Sequence, residues 1–144
     1  VTRTDVGVAA LAAFWLGLVV AISFIEAPLK FRAPGVTIHV GLAIGRLVFR
    51  ALNGVECVVA SALVVLTVAG NPAAGVIAAV IVAWVCLAIQ LAAVRPAMMR
   101  RTNAIRDGVE HAGRSRIHLA YVALEGIKTL ALVGVVVLVA AGVR

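Results

Sequence analysis

Four long apolar stretches, separated by short polar breaks, set the pattern of this chain. From Val6 to Ile25 nearly every position is aliphatic or aromatic. As a helix, about 20 such residues cross a hydrocarbon core of roughly 30 Å. The run stops at Glu26-Ala27-Pro28, where the proline disfavours helical geometry at Ala27, and Pro34-Gly35 beyond it is a turn signal. Val36 to Gly70 holds no breaker other than isolated glycines. As one helix it would reach about 50 Å, more than a single crossing needs. The pattern divides it into an amphipathic cytoplasmic lead-in, Val36 to about Arg50, and a second span over 51–70; one long tilted helix is the alternative. Gly70-Asn71-Pro72 predicts a tight reversal, with Asn71 capping the next helix and Pro72 at its first position. A third span follows over 72–94, with Arg95-Pro96 as its kink or end. A polar helical extension runs on to Asp107-Gly108, 109–114 reads as loop, and a fourth span covers 116–143.

The predicted fold is all-α: an integral membrane four-helix bundle, one transmembrane domain over 1–144. Composition agrees, since 64% of residues are apolar and 13% charged, against roughly 25% charged in soluble domains. The net charge of +7 would suggest nucleic acid if it lay on a soluble module, but here it flanks the spans, so no nucleic-acid partner is expected. Lys30, Arg32, Arg46, Arg50, Arg95, Arg100, Arg101, Arg106, Arg114 and Arg116 fall on one side, and Arg3 and Arg144 on the other. By the positive-inside rule this puts both termini outside the cytoplasm of a multi-pass inner-membrane protein. Asp5 beside the first run, its length and the lack of a small-residue cleavage site predict a retained span rather than a signal peptide. Cys57 and Cys86 lie inside apolar spans, which excludes a disulfide framework and favours small packing residues. Trp15 and Trp84 are mid-span and read as packing.

The fourth span changes the picture, because His118, Tyr121, Glu125 and Lys128 recur along one helical stripe inside an apolar run. Ionisable groups in hydrocarbon are costly and face a bundle interior or a wet cavity. Spans two and three form a hairpin about Asn71, which sets Asn53 level with Gln90 and Cys57 level with Cys86. Glu26, Asn53, Glu56, Gln90, His118, Tyr121, Glu125 and Lys128 are thus the candidate ligand-binding or ion-coupling set, around a pocket open to the cytoplasm with an apolar plug beyond it. Each has a plainer role beside that one. Glu125 and Lys128, three apart, suit an intrahelical ion pair, and Glu26 and Glu56 suit pairing with Arg32, Arg46 or Arg50. Tyr121 suits a headgroup-level belt, and His118 suits a surface position. Arg46, Arg50, Arg100 and Arg101 are candidate contacts for anionic lipid headgroups. Glu-x-x-His pairs of a di-iron bundle are absent, and only His118 offers a haem ligand. Glu26, Glu56, Glu125 and His118 remain as a set that would have to meet around one cation. No metal and no cofactor is expected.

Trp15-Leu16-Gly17, Glu26-Ala27-Pro28, the following Phe31, Gly45-Arg46-Leu47-Val48-Phe49 and a late arginine before His118 resemble a family of small four-span bacterial membrane proteins. That family carries a domain-of-unknown-function label and is similar to a eukaryotic four-span membrane family. Arg114 and Arg116 precede His118 at a spacing that departs from the family's Arg-x-x-His. The resemblance implies four helices and no site residues.

Three functions suit these observations. The first is a protein binding or transporting a small solute or ion through the cytoplasm-facing pocket, as an oligomer or with a membrane-complex partner. The second is an accessory or structural subunit whose polar fourth-span stripe docks on a partner helix. The third, an enzyme acting on a lipid or quinone with His118 or Glu125 as acid or base, ranks last because no nucleophile–base pair or cofactor motif is present.

Overall fold

The structure, a computed structural model, describes residues 2–109 and 116–142. Among these it forms four helices and no strand: α1 (Arg3–Arg32), α2 (Ile38–Gly70), α3 (Ala74–Arg106) and α4 (Arg116–Ala140), each long and apolar enough to cross a membrane. The observed fold is the all-α four-helix bundle that the hydrophobic pattern predicts. Most of the expected loop at 109–114 and the far end of the fourth span fall outside the described residues.

α1 starts in a capping box: Asp5 N donates to the Thr2 hydroxyl (3.1 Å) and Thr2 N donates to the Asp5 carboxylate (2.7 Å), so two orphan donors are satisfied reciprocally. Its inward face is Val8, Ala12, Trp15 and Val19, the three- and four-residue steps of a buried helical stripe. The expected end at Glu26 is corrected by the structure, in which the helix continues through Pro28 as far as Arg32. A π-helical stretch, Val20–Glu26, precedes the proline. Proline lacks an N–H and its ring collides with the carbonyl four residues back, and a widened turn upstream relieves both problems without ending the helix. α3 repeats the device, with π-helical Gln90–Val94 just before Arg95-Pro96.

α2 is a single helix of 33 residues, so the lead-in and the second span are two parts of one element. Its N-cap is Thr37, whose hydroxyl accepts from Val40 N at 3.3 Å. The reversal differs from expectation. Asn71 closes α2 in the left-handed region (φ 47°), and α3 begins at Ala74 with Ala73 as its N-cap. Asparagine tolerates that conformation better than most residues, and in adopting it the residue ends one helix rather than starting the next.

α1 and α4 form the centre of the bundle. α2 packs mainly on α1 and α3 mainly on α4, while α2 and α3 touch each other little. Thr4 lies against Gly70, Leu66 against Gly7 and Leu138 against Gly75. The start of α1, the 71–73 turn and the finish of α4 therefore share one end, the hairpin end. Lys30, Arg46 and Arg95 gather at the other, the basic end. The core on the hairpin side is apolar, built from Val8, Ala12, Leu63, Val80, Leu132 and Val135 among others, with the buried Thr67 hydroxyl donating to the Leu63 carbonyl of its own helix. Outward faces are as apolar as the core, with Leu47, Val58, Val65, Val68 and Leu130 each more than half exposed, which suits hydrocarbon rather than water. The outward Ser61 hydroxyl donates to the Cys57 carbonyl at 2.7 Å, so no bare donor meets that environment. Trp84 is 41% exposed and faces outward, contrary to the packing role expected for it. Cys57 is exposed, Cys86 is buried and both are free, so matched depth does not make them a pair.

Candidate functional site

On α4 the buried positions are Tyr121, Glu125, Lys128, Leu132, Val135 and Val139, a continuous stripe turned toward the other helices. Lys128 is the hub of the polar part. Its ammonium, wholly buried, donates to Glu56 Oε1 on α2 (2.5 Å), to Gln90 Oε1 on α3 (2.9 Å) and to Glu125 Oε1 on its own helix (3.2 Å). Gln90 Nε2 donates to Glu125 Oε1 at 2.8 Å. α1 completes the cluster through Trp15, whose indole N–H donates to Glu56 Oε1 at 2.9 Å. All five residues are essentially without solvent exposure. They lie about 20 Å from the hairpin end, counted along each helix, so all four helices bring a polar group to one level.

Charge and hydrogen bonding are not both closed there. Two carboxylates face one ammonium, and the Oε2 atoms of Glu56 and Glu125 are buried with no hydrogen-bond partner. Fully ionised, the cluster carries a formal charge of −1 in a low-dielectric core, where an uncompensated charge is costly. One further positive charge, a proton or a cation, would neutralise it.

Toward the basic end the bundle opens. Because α2 and α3 stay apart, a cavity of about 800 Å³ lies between the ends of all four helices. Its walls include Phe24, Leu42, Phe49, Leu91, Met98 and Val122, and its polar lining includes Lys30, Arg46, Arg50, Asn53, Arg95, His118 and Tyr121. Both π-helical stretches end beside it, and Ala27, Pro28, Arg95 and Pro96 all line it. Phe49 is a basic-end hub: the Lys30 ammonium lies 5.3 Å and the Arg95 guanidinium 4.5 Å from its ring, and Tyr121 meets it edge-on at 5.7 Å. Tyr121 forms the floor between cavity and cluster, one turn of α4 from Glu125. Its hydroxyl is shared with Ser23 Oγ (3.1 Å) and receives a long contact from Arg95 Nη2 (3.5 Å).

The eight candidate residues therefore belong to two places. Glu56, Gln90, Glu125 and Lys128 form the sealed cluster, while Asn53, His118 and Tyr121 line the open cavity. Glu26 lies beside the cavity in an i,i+4 pair with Lys30 at 3.2 Å. The Glu125–Lys128 intrahelical pair forms, but as one edge of a larger network. Pairing of Glu26 and Glu56 with Arg32, Arg46 or Arg50 gives way to pairing with Lys30, one turn along the same helix, and with Lys128 on the facing α4. Glu26, Glu56, Glu125 and His118 do not converge on one point, and no metal-binding group of His, Cys, Asp and Glu occurs among the described residues. Of the headgroup candidates, Arg46 and Arg50 line the cavity, whereas Arg100 and Arg101 border a separate shallow recess with Ala97, Ala104 and Ile117.

Trp15, Ser23, Lys30, Phe49 and Arg95 were not among the sequence candidates. Trp15 carried a usable signal, since it lies within about one turn of the depth of Glu56 on a stripe of otherwise small side chains. For Arg95 the adjoining Pro96 drew attention to the kink rather than to the side chain.

Four apolar helices of membrane-spanning length, closed around a polar core, make this a multi-pass membrane protein. Comparison of the chain with protein-family models, with curated proteins and with solved structures finds no match to it.

Proposed function

We propose that the protein binds, and moves across the membrane, a small solute or ion that enters by the basic-end cavity, with Glu56, Glu125 and Lys128 as the coupling groups. The observation that carries this reading is the juxtaposition of an open cavity of about 800 Å³ and a sealed, charge-imbalanced cluster one helical turn below it. The volume suits a small ligand, since such pockets run to roughly 300–1,000 Å³. A cluster with two unpartnered carboxylate oxygens can take up a positive charge when the neighbouring site changes occupancy. We place the protein in the inner membrane with both termini outside the cytoplasm, so that the cavity faces the cytoplasm, and propose that it works as an oligomer or beside a membrane partner. The motive for a purely accessory role was a polar stripe available for docking; Tyr121, Glu125 and Lys128 are instead buried within the chain.

The test is transport in proteoliposomes carrying a trapped pH indicator, offered phosphate, short-chain carboxylates and monovalent cations in turn. Groups facing Glu125 are Lys128 and Tyr121 on its own helix and Gln90 and Cys86 on α3, with Glu56 on α2 and Trp15 on α1 behind Lys128. At least one solute should accumulate in a pH-gradient-dependent way, and Glu125→Gln should abolish that dependence. Undiminished dependence in the variant would remove Glu125 from coupling.

A further inference from the structure

The cavity's charge is not balanced by its own side chains, and this bears on what enters it. Lys30 is neutralised by Glu26. Arg46, Arg50 and Arg95 form no ion pair with a carboxylate among the described residues. Arginines that serve only to fix topology extend into water or headgroups, as the exposed Arg32 and Arg100 do. Arg46 and Arg95 behave otherwise: both are half-buried, and the Nε of each is buried without a hydrogen-bond partner. Each guanidinium has five N–H donors. Among the described residues Arg46 spends one on Asn103 Oδ1 at 2.7 Å, and Arg95 spends one on the Tyr121 hydroxyl at 3.5 Å. The Arg95 plane is fixed by the Phe49 ring at 4.5 Å and the Tyr121 ring at 5.2 Å. A guanidinium held by its faces keeps its edge free, and the edge is what recognises a planar or tetrahedral oxyanion.

The rest of the lining sets the other half of the ligand. Beyond the charged groups the larger part of the wall is apolar, built from Phe24, Leu42, Leu91, Met98, Met99 and Val122, with Ser23, Asn53, Thr102, His118 and Tyr121 as scattered polar groups among them. Met98 and Met99, unbranched and polarisable, can adapt to a flexible chain. The cavity also lies about 30 Å from the hairpin end along the helices, the depth at which headgroups meet hydrocarbon.

We propose that the ligand of this cavity is an anionic lipid, whose oxyanion headgroup is held by Arg46 and Arg95 and whose hydrocarbon tail lies along the apolar walls. This rests on the reading of the cavity as a ligand site and replaces the small hydrophilic solute of that reading by an amphiphilic anion, leaving the coupling cluster beneath the cavity as proposed.

The experiment uses the full chain in a mild non-ionic detergent and measures thermal unfolding and equilibrium binding with four probes. They are oleate, 1-oleoyl-lysophosphatidylglycerol, the uncharged monoolein and inorganic phosphate. Oleate or the lysophospholipid should raise the unfolding temperature and bind at least roughly tenfold more tightly than monoolein, as expected of a charge-assisted contact; free phosphate should do neither. Which of the two binds better separates a carboxylate from a phosphate headgroup. Arg95→Gln should lose that preference, as should Arg46→Gln, while Arg32→Gln, which removes the same charge outside the cavity, should keep it. Circular dichroism confirms that each variant is folded, and if one is not, the other carries the comparison. Equal binding of monoolein and the anions, or equal losses in Arg32→Gln and Arg95→Gln, would overturn the anionic class while leaving the cavity as a ligand site. Failure of all four probes to bind would overturn the lipid assignment and leave small hydrophilic solutes to the transport test.

Discussion

The sealed cluster and the open cavity stand on the same four helices, one turn apart, and treat charge in opposite ways. In the cluster every cationic donor is spent, because Lys128 Nζ makes three hydrogen bonds, and the unspent atoms are carboxylate oxygens. In the cavity the unspent atoms are guanidinium nitrogens. One region has an excess of acceptors with no access to solvent, and the other has an excess of donors with a mouth. Polar groups in a membrane helix are thus not one phenomenon. Where four helices close at a common level they form a network that holds the bundle, and where two helices diverge they form a surface that awaits a partner.

The contrast is tested most severely at Lys128. Lys128→Met leaves two carboxylates facing each other in the core, and breaking a buried pair in this way costs about 3–5 kcal/mol. Thermal unfolding in detergent should show that loss, whereas Arg95→Gln, in a partly solvated cavity, should cost less than about 1 kcal/mol. Comparable losses would erase the distinction between the regions. The converse follows from the same principle: adding Glu56→Gln and Glu125→Gln to Lys128→Met removes the stranded charges and should recover more than half of the loss. A triple variant no more stable than Lys128→Met would mean that shape, not charge, is what Lys128 supplies.

Trp15 offers a smaller effect within the cluster. Among the described residues its indole N–H makes the only hydrogen bond from α1 into the network. Trp15→Phe keeps most of the packing and removes that donor, and should cost about 1–2 kcal/mol by the same unfolding measurement. A loss below the error of the measurement would show that Glu56 is held by Lys128 alone.

Much of this architecture is written in the one-dimensional pattern, for reasons that particular residues make plain. Four crossings follow from run length alone, and an inward stripe on α4 follows from the cost of Glu125 and Lys128 in hydrocarbon. The pattern offers the continuous α2 only as an alternative, because a 33-residue helix exceeds what hydrocarbon thickness demands. Pro28 reads as a stop and Pro96 as a kink or end, since the local rule for proline does not count a π-helical stretch upstream that absorbs the misfit. The division of the polar set into cluster and cavity was out of reach. It depends on α2 and α3, neighbours in sequence, packing on different partners, and no periodicity reports which pairs of helices touch. Arg95 was hidden for the same reason: a cation beside a span boundary looks topogenic until Phe49 of another helix is found beneath it.

The smallest expected effect concerns Gly41, and it separates cavity shape from bundle stability. A methyl group at this position would lie 2.2 Å from the Phe31 ring, far inside van der Waals contact, so Gly41→Ala cannot keep Phe31 where it is. Phe31 belongs to the short final turn of α1 and is 39% exposed. Its ring can swing outward without disturbing the four-helix core, and the change in unfolding free energy should stay below about 1 kcal/mol. The cavity should respond more, because Phe31 is part of its wall and stands beside the Lys30 ammonium, 5.7 Å from its ring centre. Lipid binding measured with the oleate probe should therefore weaken or change in tail-length preference while the unfolding temperature without ligand holds. A variant that loses stability as heavily as Lys128→Met would mean that the basic end is as tightly built as the cluster, and the two regions would have to be understood as one.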